Sequence, residues 1–428
     1  MCLTVCPLYA GNSKSLNFDL RKLEKQKKLL IEFVHLERSE IDETGEFDLE
    51  ALFVRLGHAI DSIKAKRVVL DTIEALFSGL QNETILRAEL RRLFRFLKDK
   101  GVTAIITGER GDGALTRHGL EEYVSDCVIL LDHRVNEQLS TRRLRVVKYR
   151  GSSHGTNEYP FLIDEDGISV LPVTSLGLNH KAETKRIKTG ITELDEMFDN
   201  KGFFKGSSIL LSGTAGTGKT SIASSFVNEA CKNGEKCIYF SFEESPDQLQ
   251  RNMSSIGLNL KTWLKNGTLT ISSSRPANTG LEMHLVSIHK LIAKIKPTIV
   301  VIDPLTSLLS QGNSLEISSM LTRMIDLLKT KGITALFTSL VTSSSGLDNT
   351  EVGVSSLIDT WLVLRELENK GRRTRGLYII KSRGMPHSSD VREFVFGKNG
   401  IRLLNIDFKS PQDILPITGI KLRSQREV

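Results

Sequence analysis

A chain of 428 residues is long enough for two or three domains with full cores. With 39% hydrophobic and 25% charged residues and no apolar run of spanning length, it reads as a soluble protein and not a membrane one. The net charge of +7 permits nucleotide or nucleic-acid binding without demonstrating either, and the five cysteines fit reduced, unpaired thiols. The start, MCLTVCPLYAGNSKS, has neither the basic flank nor the sustained apolar stretch of an export signal. The cytoplasm is therefore the expected compartment. Cys2 and Cys6 could chelate a metal, but no second pair follows them.

In chain order, the first predicted strand is VVLD, ending at Asp71. An amphipathic helix leads to TAIIT, then CVILL, then LRVVKYRGSSH with Lys148, Arg150 and His154. After the polar stretch LGLNHKAETKRIKTG the series returns as IVVID, TALFT, WLVL and LYIIKSRGMPH. Asp71 and Lys148 stand 77 positions apart, and Asp303 and Lys381 stand 78 apart. Continuous β-branched strands alternating with helices predict a doubly wound α/β fold with a parallel sheet, written twice. The boundary falls at about residue 180, giving domains 1–179 and 180–428.

One element is not repeated. GTAGTGKT, comprising Gly213, Thr214, Ala215, Gly216, Thr217, Gly218, Lys219 and Thr220, occurs once, between the strand SSILLS and the helix SIASSFVNEACKNG. Lys219 precedes Asp303 by 84 positions, an offset that from Asp71 falls before the chain begins. The same arithmetic sends the pair Glu243 and Glu244 to residue 11, in AGNS. The expectation is a first unit without a phosphate-loop strand and helix.

The chemistry gathers around that loop. GxxxxGK[ST] in a strand–loop–helix setting aims backbone N–H groups and a helix N-terminus at phosphate oxygens. Lys219 would reach the β- and γ-phosphates of ATP, and the Thr220 hydroxyl would ligate Mg²⁺. Asp303, at the end of TIVVID, either holds Mg²⁺ through water or caps a helix. Glu243 and Glu244 follow CIYFSF and are a catalytic carboxylate pair or a solvated turn. Lys381 and Arg383 are a surface cluster or a pair reaching a neighbour's γ-phosphate.

Together, GTAGTGKT with FEES downstream, TRHGLEEYVSD, KYRGSSH, YPFLIDEDGI and KTGITELDEMF make the chain resemble the KaiC family from about residue 13 on. That family consists of circadian clock ATPases and autokinases with two tandem RecA-like P-loop domains, assembled as a homohexameric double ring with ATP at subunit interfaces. The resemblance implies acceptor hydroxyls at Ser355 and Ser356 in VSSLIDT, with Thr350 nearby. It implies Glu243 as the base and Lys381 and Arg383 as interface-crossing residues. In the first unit the acceptor positions fall on Glu122 and Tyr123, so no serine or threonine phosphorylation is expected there. Implied partners are further copies of the chain and KaiA-like, KaiB-like or other signalling proteins. Two rival readings stay open: a RecA- or RadA-like DNA-dependent ATPase, and a non-catalytic oligomeric scaffold. The polar, slightly acidic TSSSGLDNTEVG lacks the character of a DNA-binding loop, so nucleic acid is not an expected partner.

Overall fold

The computed structural model describes residues 2–4, 18–33, 50–74, 83–111, 115, 124–136, 139–165, 167–170, 183–275, 281–309, 314–341, 356–369, 372–397 and 400–406. The chain divides into two compact units, residues 1–133 with 142–170, and 134–141 with 171–428. The sequence boundary near residue 180 lies outside the described residues.

In the first unit, strands β1 (Cys2–Thr4), β2 (Ile31–Phe33), β3 (Arg67–Asp71) and β4 (Thr103–Ile106) form a parallel sheet in the order β2-β1-β3-β4. Strands β5 (Cys127–Asn136), β6 (Leu139–Tyr149), β7 (Tyr159–Asp164) and β8 (Gly167–Val170) form a second sheet in chain order. The helices are α1 (Leu20–Lys25), α2 (Glu50–Ile63) and α3 (Glu83–Asp99). Leu52, Leu56 and Ile60 recur at helical spacing on α2, as do Leu86, Leu90, Leu93 and Leu97 on α3. Both stripes close over Val68 and Leu70 of β3 in one core.

The second unit carries one nine-stranded sheet. Its chain order is β9 (Arg186–Ile187), α4 (Thr192–Glu196), β10 (Phe203–Phe204), β11 (Ser208–Gly213), α5 (Lys219–Lys232), β12 (Cys237–Ser241), α6 (Pro246–Ser255), α7 (Lys261–Lys265) and β13 (Leu269–Ser273). Then come α8 (Leu281–Ile295), β14 (Ile299–Asp303), α9 (Thr306–Leu309), α10 (Ser314–Thr330), β15 (Thr334–Leu340), β16 (Thr360–Asn369), β17 (Arg372–Ser382), β18 (Arg392–Gly397) and β19 (Gly400–Asn405). The sheet runs β13-β12-β14-β15-β11-β16-β17-β18-β19, while β9 and β10 pair separately. From β13 to β16 it is parallel, and β11, β12 and β14 are buried along their whole length. Such strands need no polar face, which is why they read as unbroken apolar runs. Strands β17 to β19 continue the sheet antiparallel, so it is mixed where sequence periodicity predicted a parallel one.

Register aligns the two units residue by residue. Thr4 opposite Asp71 answers Ser241 opposite Asp303. Thr4 and Asp71 are 67 positions apart and Ser241 and Asp303 are 62, so the first unit carries five more residues between these strands. Connections absorb such insertions at small entropic cost. The constant offset to residue 11 is corrected accordingly: the counterparts of Glu243 and Glu244 are Cys6 and Pro7, both outside the described residues.

Candidate nucleotide site

The loop after β11 is shaped by its glycines. Gly218 takes φ +105°, a left-handed conformation, and a Cβ there would meet the Phe394 ring at 2.8 Å. At Gly213 a Cβ would lie 2.5 Å from the carbonyl oxygen of Leu364. Both positions thus exclude side chains, and the backbone turns tightly from β11 into α5. Gly218 caps α5 without a side-chain hydrogen bond, which leaves the helix N-terminus to an incoming acceptor. Thr217 is buried, and its hydroxyl donates to the Thr214 carbonyl at 2.8 Å, bracing the turn. Ala215 and Gly216 at the crest are exposed.

Lys219 is buried and folded back on its own loop, where Nζ donates to the carbonyls of Gly213 at 2.9 Å and Thr214 at 2.7 Å. Burial pushes its pKa down to about 8, against the opposing pull of Asp303 and Glu243. An anion at the loop would replace those carbonyls as its partner and favour the charged ammonium. Thr220, half-buried, follows in the first turn of α5.

Asp303 ends β14, two strands from β11 on the same sheet edge. Its Oδ2 accepts from the Tyr239 hydroxyl at 2.5 Å, and its Oδ1 accepts from the Thr338 hydroxyl. Glu243 and Glu244, next along from β12, part company. Glu243 is exposed and accepts from the Ser307 hydroxyl at 3.2 Å. Glu244 turns toward α6: Oε1 accepts from Asn252 at 3.2 Å, Oε2 is buried without a partner, and burial raises its pKa. The turn that carries both is fixed by Ser241, whose hydroxyl donates to the Glu244 carbonyl at 2.7 Å, and by the Ser245–Gln248 capping box of α6. Thr220 and Asp303 offer hydroxyl and carboxylate oxygens only, a donor set that fits Mg²⁺.

Lys381 and Arg383 stand elsewhere. Strand β17 is antiparallel to β16, so Lys381 pairs with Trp361 at the start of β16, while Gly213 pairs with Leu364. Thr360 lies beside Ile209, four residues before Gly213, or roughly 13 Å along the strand. At that far end the Arg383 guanidinium donates to the carbonyl of Ser356 at 2.6 Å, and its amide donates to the Asp359 carbonyl at 2.8 Å. Asp359 in turn accepts from the Ser208 amide, the Ser208 hydroxyl and Lys329 Nζ, each at 2.9 Å. Burial lowers the pKa of Lys381, and Arg383 beside it lowers it further. Ser356 is exposed; Ser355, Thr350, Glu122 and Tyr123 lie outside the described residues.

The candidate residues therefore fall into two groups at opposite ends of one sheet. The profile of the family described as ATPase: KaiC matches residues 9–175 and again 187–407. The chain belongs to the KaiC ATPase family. Its two units are tandem KaiC domains of RecA-like fold. Among its relatives, Circadian clock protein KaiC2 of Synechocystis is 55% identical over 395 residues, covering 92% of this chain and 70% of that protein. Circadian clock oscillator protein KaiC of Acaryochloris marina is 36% identical over 397 residues, covering 92% and 76%. Circadian clock protein KaiC3 of Synechocystis is 36% identical over 364 residues, covering 84% and 72%. No described helix is long and apolar enough to cross a membrane.

Sequence reasoning passed over Tyr239, Thr338 and Ser307, the hydroxyls that hold Asp303 and Glu243. Thr338 had a signal: Thr107 stands at the same place in the first repeat, where its hydroxyl donates to Asp71. Tyr239 and Ser307 have no such repeat partner, since their meaning depends on which strand lies beside which.

Proposed function

We propose that the second domain, from about residue 180 onward, is an ATPase and autokinase working in a homohexameric ring. Each copy phosphorylates Ser355 and Ser356 of its neighbour, with Thr350 as a nearby acceptor. The observation that carries this reading is the separation of Ser356 and Arg383 from the phosphate loop of their own chain, roughly 13 Å along the sheet. A chain cannot easily present its acceptor to its own loop, whereas the end of one copy meeting the loop of the next joins the two halves.

We assign the roles as follows. Lys219 turns from its loop carbonyls to the β- and γ-phosphates. Thr220 and Asp303 would hold Mg²⁺, which neutralises phosphate charge when bound. Exposed Glu243, steadied by Ser307, accepts the proton as the serine Oγ attacks the γ-phosphorus. The bond to serine oxygen forms as the bond from the γ-phosphorus to the β–γ bridging oxygen breaks, and ADP leaves. Lys381 and Arg383 arrive with the acceptor and stabilise the transferred charge. Glu244, held by Asn252, supports the turn that carries Glu243. With water in place of serine, the same groups hydrolyse ATP. Proteins of the KaiA and KaiB type are the proposed readers of the phosphorylated state, in the cytoplasm.

The test is to incubate the protein with labelled ATP and Mg²⁺ and map the label by mass spectrometry. Label at Ser355 and Ser356 is expected. Hydrolysis without label leaves a plain ATPase, no turnover leaves a scaffold, and stimulation by DNA favours the RecA-like alternative.

A further inference from the structure

We infer that Tyr239 is a positioning residue for Asp303, its phenol fixing the carboxylate that the cation of a bound nucleotide requires; this rests on reading the second unit as a Mg²⁺–nucleotide site. Tyr239 sits in the middle of β12, fully buried in the main core, beside Val301 and two residues before the Ser241–Asp303 pair. Packing alone would be satisfied by Phe at this position, as it is by the neighbouring Phe226. The hydroxyl is what demands explanation, because a buried phenol costs free energy unless it finds a partner. Its partner is Asp303 Oδ2, at 2.5 Å.

The two repeats separate what is architecture from what belongs to the site. In the first unit Thr107 donates to Asp71 as Thr338 donates to Asp303, and the amide of Ile73 meets the Thr107 carbonyl as that of Leu305 meets Thr338. This threonine–aspartate link therefore persists in a unit whose described residues include no phosphate loop. The tyrosine does not: the register position beside Val69, which answers Val301, is held by Cys2. The phenol thus belongs to the second unit, while the threonine link is common to both. With one hydroxyl on each oxygen the carboxylate cannot rotate about its Cβ–Cγ bond, and each oxygen keeps acceptor capacity for a further contact.

The experiment uses the full chain and a fluorescent non-hydrolysable ATP analogue, titrated in EDTA and in saturating Mg²⁺. Tyr239→Phe is expected to match wild type in EDTA and to lose roughly tenfold of the affinity that Mg²⁺ adds. Raising Mg²⁺ should restore its ATPase rate. Equal Mg²⁺ dependence in the two proteins, with only a lower melting temperature in the variant, would reduce the phenol to packing and overturn the inference. No nucleotide binding by wild type under either condition would instead overturn the site reading on which it stands. Should Tyr239→Phe not fold, Tyr239→Leu, which also keeps the strand apolar, takes its place with the same readouts.

Discussion

The two repeats solve one face of the sheet alike and the other differently. In both units the face carrying Val68 and Leu70, or Val300 and Ile302, is buried. On the opposite face, Ile105, Ile129 and Leu131 of the first unit are 54%, 54% and 52% exposed. Their counterparts in the second unit, Leu336, Leu362 and Leu364, are each 1% exposed and share a core with Ile222, Ala223 and Phe226 of α5. Helix α5, which follows the glycine-rich loop, is thus also the lid of that core. Among the described residues of the first unit, β4 and β5 belong to separate sheets where β11 joins β15 to β16 in the second. In the second unit the strand before the loop joins β15 to β16, and the helix after it closes the core. The far end of the sheet escapes the difference, since the Arg150 amide donates to the Asp126 carbonyl at 2.8 Å as that of Arg383 does to Asp359.

The sharpest break between the units should be in nucleotide binding. Protein purified with Mg²⁺-ATP should hold about one nucleotide per chain. Lys219→Ala should abolish binding, whereas Lys148→Ala, at the repeat position of Lys381, should leave it unchanged; equilibrium dialysis reads both. A content near two would erase the functional contrast. Next in size is the arginine at the conserved end of the sheet. Arg383→Ala should slow label transfer by on the order of a thousandfold in assembled protein, and Arg150→Ala should not, with assembly followed by light scattering.

Much of this contrast can be read from the residues themselves. The repeat VVLD/IVVID, TAIIT/TALFT and CVILL/WLVL places the strands, because buried parallel strands are apolar throughout. The single GTAGTGKT between a strand and a helix marks the phosphate end of the sheet. Other features need the third dimension. The Arg383–Ser356 link joins residues 27 positions apart at the edge where β16 begins, and only the antiparallel turn of β17 brings them level. Glu243 and Glu244 are adjacent in sequence and chemically alike, yet a strand end sends one to Ser307 and the other to Asn252. Counting offsets missed Cys6 and Pro7 because an insertion between strands leaves no mark on either strand.

Stability should repeat the comparison on a smaller scale. Leu362→Ala empties a closed core and should cost about 2–5 kcal/mol, whereas Ile129→Ala, at the matching exposed position, should cost about 0.5 kcal/mol or less. Thermal unfolding of the full chain, followed for each transition separately, checks the pair. Equal losses would mean that the two faces are closed alike in solution.

The smallest effect concerns Asp359, which stands just before β16 and accepts from Ser208 and Lys329. Burial raises its pKa, but the Ser208 amide, Lys329 and the Ser208 hydroxyl outweigh burial and hold it below the ordinary carboxylate value. A carboxylate with a depressed folded pKa binds fewer protons folded than unfolded. Its contribution is complete above the unfolded value, near 4, and is lost as pH falls through the folded one. Asp359→Asn should lower stability at neutral pH and flatten the acid limb of the stability curve. An unchanged acid limb would show that the Lys329 pair does not hold the carboxylate in solution.

The proposed division of labour between the two ends of the sheet is tested most directly by mixing two proteins that should each fail to label themselves. Lys219→Ala subunits cannot bind nucleotide but keep Ser355 and Ser356. Subunits carrying Thr350→Ala, Ser355→Ala and Ser356→Ala keep the loop but have no acceptor. Each alone should remain unlabelled with labelled ATP, and the co-assembled mixture should carry label on Ser355 and Ser356 of the Lys219→Ala chains, identified by mass. A mixture that assembles and hydrolyses ATP but leaves those serines unlabelled, while wild-type protein labels its own, would place donor and acceptor in one chain and contradict the account.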